Sequence, residues 1–296
     1  MCRKTSWCAV LFLLLGAAAP AQNLVFNAGF HNDLNGWAPL SAAWDEDDAN
    51  GQINSGAALL MDSPIGDVPF SVSQCIPVEP DTAYQFGYRY RIPSGQPVPP
   101  TVRATLQWFD NEECGEPDLG TDSFVGATIG EWSDVPLAPV TAPVGAVAVQ
   151  VTAEVLFPEG EPGPFAGLFD NVVLVPAGTC QTFGTTLCLT EGGRFKVTAS
   201  FRTPDGQEGV ARASQQTIDS GNFWFFTSNN QELHIKVLNT CETEFHTFWV
   251  FLSGLTNVEV EVVVEDTVAG QFRTYSNTLG QPFQPVLDTA AFNTCP

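Results

Sequence analysis

The chain has 296 residues, with 33 Asp or Glu against 11 Lys or Arg and a formal net charge of −22. Such a surface repels phosphate backbones, so nucleic acid is excluded as a natural partner, whereas neutral sugars, calcium and cationic surfaces suit it. The length allows two domains.

Arg3 and Lys4 precede the apolar run Trp7–Leu15 and the small-residue box Ala19-Pro20-Ala21. Together they predict a secretory signal peptide over 1–21, too short to span a bilayer as a mature helix. The expected product is secreted, extracellular or periplasmic, and begins at Gln22. Cys2 and Cys8 leave with the peptide. Six cysteines remain, Cys75, Cys114, Cys180, Cys188, Cys241 and Cys295, and an even number in an exported chain predicts disulfides. There is no Cys-x-x-Cys motif to suggest zinc. The simplest partition pairs Cys75 with Cys114. The other four allow three pairings, of which Cys188–Cys241 with Cys180–Cys295 is preferred because the latter would tie the ends of a domain together.

Helical periodicity is nearly absent. Alternating apolar residues between Gly, Pro, Asn and Asp clusters predict an all-β chain of two sandwiches. Strands are expected at Ser55–Leu60, Phe70–Ile76, Tyr84–Arg91, Val102–Phe109, Ala146–Leu156 and Leu168–Val175. Pro176 stops the last of these, and residues 177–179, Ala-Gly-Thr, form a joint between a domain at 22–176 and another at 180–296. The first holds 3 arginines against 21 acids, the second 6 basic residues against 12 acids.

Within the first domain, period-two alternation puts Tyr84, Phe86, Tyr88 and Tyr90 on one face and Gln85, Arg89 and Arg91 on the other. Ala104, Leu106 and Trp108 oppose Arg103, Thr105 and Gln107. Val147, Val149, Val151 and Val155 oppose Gln150, Thr152 and Glu154. Trp37 and Trp132 are expected in the core, and Trp44 exposed. The run Glu46-x-Asp48-x-Asn50-Gly51 alternates oxygen ligands as a calcium loop does, but its twelfth position is Ala57 rather than Glu, which favours a solvated acidic loop.

Four motifs occur in order: Asn-x-x-Phe…Gly-Trp at 27–37, Ser-Gly-x-x-Leu at 55–59, Ala-Pro-x-Gly-Ala at 142–146 and Phe-Asp-Asn-Val at 169–172. Residues 22–176 thereby resemble the galactose-binding-like jelly roll, in particular carbohydrate-binding modules similar to families 4 and 9. The resemblance implies a sugar site on one sheet face, and Gln85, Arg89, Arg103, Gln107 and Gln150 are the expected ligand-binding residues there. It also implies one structural Ca2+, held by Asp170 on the last strand with Asn27, His31 and the backbone oxygens between them. In the family a Glu usually follows the loop Phe; here His31 follows Phe30.

The second domain is again β. Phe195, Val197, Ala199 and Phe201 alternate with polar residues, and Leu233, Ile235 and Val237 do the same. Residues 223–226, Phe-Trp-Phe-Phe, are expected at the sandwich centre, among about seven strands of an Ig-like or related sandwich. This part resembles a β-domain appended to secreted bacterial proteins, for which no activity follows.

No Gly-x-Ser-x-Gly, His-Glu-x-x-His or glycine-rich phosphate loop is present, and His31, His234 and His246 are scattered. The expectation is a non-catalytic protein that binds a polysaccharide or cell-surface glycan. The alternative is a structural or adhesive surface component without a glycan ligand. Oligomeric state is not legible.

Overall fold

The computed structural model describes residues 23–52, 54–61, 70–157 and 163–296. The signal peptide expected at 1–21 lies outside them. The first ten strands are β1 (Ala38–Leu40), β2 (Ala42–Asp45), β3 (Ala57–Met61), β4 (Phe70–Pro77), β5 (Ala83–Arg91), β6 (Thr101–Phe109), β7 (Asp118–Gly126), β8 (Ser133–Thr141), β9 (Ala148–Leu156) and β10 (Ala166–Pro176). They form two five-stranded antiparallel sheets, ordered β1-β4-β9-β6-β7 and β2-β3-β10-β5-β8. The pairing is nested: β3 lies beside β10, β4 beside β9, β5 beside β8 and β6 beside β7.

This nesting follows from the alternation. Tyr84, Phe86, Tyr88 and Tyr90 face inward from one sheet, Leu106, Trp108, Val149 and Val151 from the other, and all are buried. Tyr88 packs on Phe169 of the neighbouring strand at 5.4 Å, and Tyr84 meets Trp108 of the other sheet at 6.5 Å, within one core between the sheets. Each fully buried large side chain contributes about 1.5–3 kcal/mol. Trp37 joins that core as expected. Trp132 does not: it is half-buried, and its Nε1 donates to Asp47. Trp44 is 36% exposed, with Nε1 donating to the Phe30 carbonyl at 2.7 Å.

Past the joint come β11 (Leu187–Leu189), β12 (Phe195–Arg202), β13 (Glu208–Val210), β14 (Arg212–Thr217), β15 (Ser220–Trp224), β16 (Gln231–Asn239), β17 (Phe248–Gly254), β18 (Glu259–Asp266), β19 (Gln271–Asn277) and β20 (Val286–Phe292). One sheet runs β11-β12-β18-β19, with β13 also on β12; the other runs β14-β15-β16-β17-β20. These are ten strands rather than seven. Four consecutive strands, β14 to β17, form a meander, which replaces the Greek-key division of an Ig domain. The apolar run at 223–226 is not wholly central: Phe223 is buried, but Phe226 is 46% exposed, because β15 ends at Trp224 and the chain turns there.

The disulfides correct half of the expected connectivity. Cys75–Cys114 forms as expected. In the second domain the bridges are Cys180–Cys188 and Cys241–Cys295, not Cys188–Cys241 and Cys180–Cys295. The hairpin-like return of residues 180–188 brings Cys180 back to β11, so the shortest loop closes locally. Cys295 is left to reach the end of β16 at Cys241. Three disulfides are consistent with an extracellular protein. Among the described residues, no helix is long and apolar enough to cross a membrane.

Candidate functional site

Three of the five residues expected to bind ligand share one face. Strand register on β4, β9, β6 and β7 sets them in rows. The first row reads Cys75, Gln150, Gln107, Thr121; the second Ser73, Thr152, Thr105, Ser123; the third Ser71, Glu154, Arg103, Val125. These residues alternate with the buried Val72, Val151, Ala153, Ala104 and Leu106, so the same period-two pattern that fills the core projects the rows outward. The hydroxyls of Ser71, Ser73, Thr105, Thr121, Ser123 and Thr152 were missed as site residues. Their signal was present as Ser-x-Ser at 71–73 and Thr-x-Ser at 121–123, in register with the amides.

Arg103 Nε donates to Glu154 Oε1 at 2.8 Å, and this bond holds the guanidinium above its ordinary pKa. Gln107 Nε2 donates to Asp118 Oδ2 at 2.9 Å. Glu154 is the one carboxylate within the rows and is already paired, and Asp118 stands at their edge against Gln107. The face carries no aromatic ring. What it offers is a patch of planar amides and hydroxyls with its one charge pair neutralised internally.

Gln85 and Arg89 are not on this face, contrary to the single-sheet expectation. They lie on β5, in the opposite sheet, because the nested pairing sends β5 and β6 to different sheets. Nor is Arg89 exposed: it is 3% accessible. Its Nε donates to Asp134 Oδ1 at 2.9 Å, and its Nη1 to the Ala49 carbonyl at 2.5 Å and Asn50 Oδ1 at 2.8 Å. Asp134 also pairs with Arg212 of the second sandwich. Burial lowers the Arg89 pKa, Asp134 opposes that shift, and Arg212 adds to it.

The loop over Arg89 is the acidic run 45–51. It is solvated only in part: Glu46 and Gly51 are exposed, whereas Asp48 and Ala49 are buried. Asp48 Oδ1 accepts from the Asn50 and Gln52 amides, and Asp47 pairs with Arg91. Two arginines of β5 thus pin the loop down.

Asp170 lies directly opposite Arg89 on β10 and is fully buried. Its Oδ2 accepts from the Ala49 amide at 2.9 Å and its Oδ1 from the Asn171 amide at 2.6 Å. The carboxylate therefore joins the 45–51 loop, not the loop at 27–31 where calcium was expected. Asn27 turns to its own loop: Oδ1 accepts from the His31 amide and Nδ2 donates to the Asp33 and Asn35 carbonyls. The carbonyls of Asn27, Ala28, Gly29 and Phe30 already accept from Trp37 Nε1, the Val172 amide, Ser55 Oγ and Trp44 Nε1. His31 contributes an exposed side chain. The oxygen set that Ca2+ needs is not assembled by Asp170, Asn27 and His31. Ala49 O and Asn50 Oδ1, in the loop that Asp170 does contact, accept from the Arg89 guanidinium.

Burial and the neighbouring Asp48 push the Asp170 pKa well above the ordinary carboxylate value, against the two backbone amides and the Arg89 charge. The folded chain therefore holds this proton more tightly than the unfolded chain. The group's contribution to stability is complete below the unfolded value, about 3.9, and is lost as pH rises through the folded value. Asp170→Asn removes the titration. The difference in melting temperature, wild type minus Asp170→Asn, should fall as pH is raised from acid to neutral; a constant difference would show that folding leaves the Asp170 pKa unshifted.

No protein-family model matches the chain, and no curated protein matches it. Half or more of it matches solved structures of carbohydrate-binding modules. The N-terminal CBM22-1–CBM22-2 tandem domain from Paenibacillus barcinonensis Xyn10C covers 93% of this chain and 87% of its own, at 9% identity and a TM-score of 0.40. The CBM22-1–GH10 modules of a Clostridium thermocellum endo-1,4-β-D-xylanase, complexed with xylohexaose, cover 53% at 15% identity and a TM-score of 0.39; this chain spans 29% of that structure. A family 16 carbohydrate-binding module covers 52% of this chain and 99% of its own, at 15% identity and a TM-score of 0.38.

Proposed function

We propose that the chain is a secreted, non-catalytic glycan-binding protein whose first domain, residues 22–176, is a jelly roll, with 177–179 as the joint to the second. The nested strand pairing supports the jelly-roll reading. The observation that carries the function is the three-row polar face on β4, β9, β6 and β7. Sugars present hydroxyls that donate and accept at once, and side-chain amides match them with a donor and an acceptor in one plane. The Arg103–Glu154 pair is internally neutral, which favours a neutral polysaccharide over an acidic one.

Retardation of the full chain in gels containing soluble neutral polysaccharides tests this reading. Losing each amide should cost about tenfold, so Gln107→Ala with Gln150→Ala should weaken binding on the order of 100-fold. Melting should be nearly unchanged, because both side chains are partly solvated. Added salt should matter little. Failure of wild type to bind any polysaccharide would leave the adhesive surface-component reading in its place.

A further inference from the structure

The two sandwiches meet beside Arg89. Gln52 Nε2 donates to Ser214 Oγ at 3.0 Å across the junction, and Asp134 bridges Arg89 to Arg212. Next to these contacts lies a cleft of about 430 Å³, lined by loop and strand residues of both domains. That volume falls within the range, roughly 300–1,000 Å³, of cavities that hold small molecules. Neither the polar sheet face nor any residue in its three rows borders it.

The chemistry of the lining is specific. Arg89 is 97% buried, lines the cleft, and has Nη2 without a hydrogen-bond partner among the described residues. That nitrogen is itself sealed from solvent, so the groups that can meet a ligand are the amides beside the guanidinium. Around it, several amides have spent only one end. Asn50 gives Oδ1 to Arg89, which leaves Nδ2 to donate. Asn171 gives Nδ2 to Asp170, which leaves Oδ1 to accept. Gln216 gives Nε2 to Ser214, which leaves Oε1 to accept. Gln181 makes no side-chain hydrogen bond among the described residues. Unspent donors and acceptors therefore line one space.

We propose that this inter-domain cleft is a second binding site, independent of the sheet face, for a neutral polyhydroxylated molecule of one or two sugar rings. A hydroxyl can accept from Asn50 Nδ2 and donate to Asn171 Oδ1 or Gln216 Oε1; a carboxylate can only accept. The buried Asp48 nearby, and the net charge of −22, further disfavour an anion. The ligand would span both domains and so hold their junction together.

Saturation-transfer NMR on the full chain, with glucose, galactose, xylose, arabinose, cellobiose, xylobiose and galacturonate as probes, tests this directly. At least one neutral sugar should give a saturable signal. Gln181→Trp, which fills the cleft, should abolish it. Gln216→Leu, at an exposed position that cannot unfold the domain, should weaken it about tenfold through one lost hydrogen bond. In the Gln107→Ala with Gln150→Ala background, where the sheet face is disabled, a saturable signal should persist and should still be lost on adding Gln181→Trp, which separates this site from the sheet face. Absence of signal from every neutral probe, a signal indifferent to both cleft variants, or preference for galacturonate would each overturn the proposal.

Discussion

Arg89→Met should destabilise the first sandwich by about 3–5 kcal/mol, the range for stripping one partner from a buried ion pair. Arg89 is 3% exposed and its guanidinium holds three things at once: Asp134 on β8, the Ala49 carbonyl and Asn50 in the acidic loop. Methionine keeps most of the volume but none of these bonds. It leaves the Ala49 carbonyl without its donor, and Asp170 loses a charge that opposes the rise in its pKa. The loop at 45–51 should loosen, and Arg212 should be left as the only ion-pair partner of Asp134, so the domain junction weakens too. Arg89→Lys should recover only part of the loss, since an ammonium cannot reproduce the planar fork. Adding EDTA to wild type tests the calcium expectation in the same series; with Ala49 O and Asn50 Oδ1 already bonded to Arg89, the expected result is unchanged melting. Guanidinium-chloride unfolding of the three proteins decides the matter. A loss below about 1 kcal/mol in Arg89→Met, the size of an exposed pair, would mean that the arginine is dispensable. A fall in wild-type melting with EDTA would restore the metal.

Arg89 also shows where the sequence stops being informative. Alternation in residues 84–91 correctly separates four buried aromatics from Gln85, Arg89 and Arg91. Period two reports which side of a strand a residue takes, but not what covers that side. Arg89 is buried by a loop some 40 residues earlier and sits beside a domain that begins after residue 180, neither of which leaves a local mark. Sheet membership is non-local in the same way. Val102–Phe109 follows Tyr84–Arg91 in the chain, and only the nested pairing with β9 and β10 parts them. Gln107, Gln150 and Arg103 were legible as a group because β6 and β9 are true neighbours. The hydroxyl rows beside them had the same pattern but no distinctive residue to draw the eye. The cysteines divide along the same line: with two candidates in the first domain the pairing is forced, whereas with four in the second it depends on where β11 and β16 lie.

Removing the bridge between Cys241 and Cys295 should be the most damaging change in the second domain. The sequence separation is 54, against 8 for Cys180–Cys188. Chain-entropy arithmetic then gives about 4 kcal/mol for the long loop and about 2.5 kcal/mol for the short one. For a domain of this size 4 kcal/mol lowers the melting temperature on the order of 20 °C. The C-terminal segment is not left unheld, because Arg194 Nη2 donates to the Thr294 carbonyl at 2.7 Å and Thr294 Oγ1 donates to Asp266 Oδ2 at 2.6 Å. Burial alone would raise the Asp266 pKa, but bonds from Arg194, Thr294 and the Ala269 amide, with the Arg194 charge, carry it below the ordinary value. This acid therefore contributes stability that is present above the unfolded value, about 3.9, and is lost as pH falls through the folded one. In Cys241→Ala with Cys295→Ala, the Arg194–Asp266–Thr294 cluster becomes the main tie on the tail. The double variant should then melt far below wild type at neutral pH and lose further stability more steeply than wild type on acidification. Cys180→Ala with Cys188→Ala should melt between the two. Equal melting of the two double variants would show that loop length does not govern these bridges, and an acid limb no steeper than wild type would show that the cluster does not hold the tail.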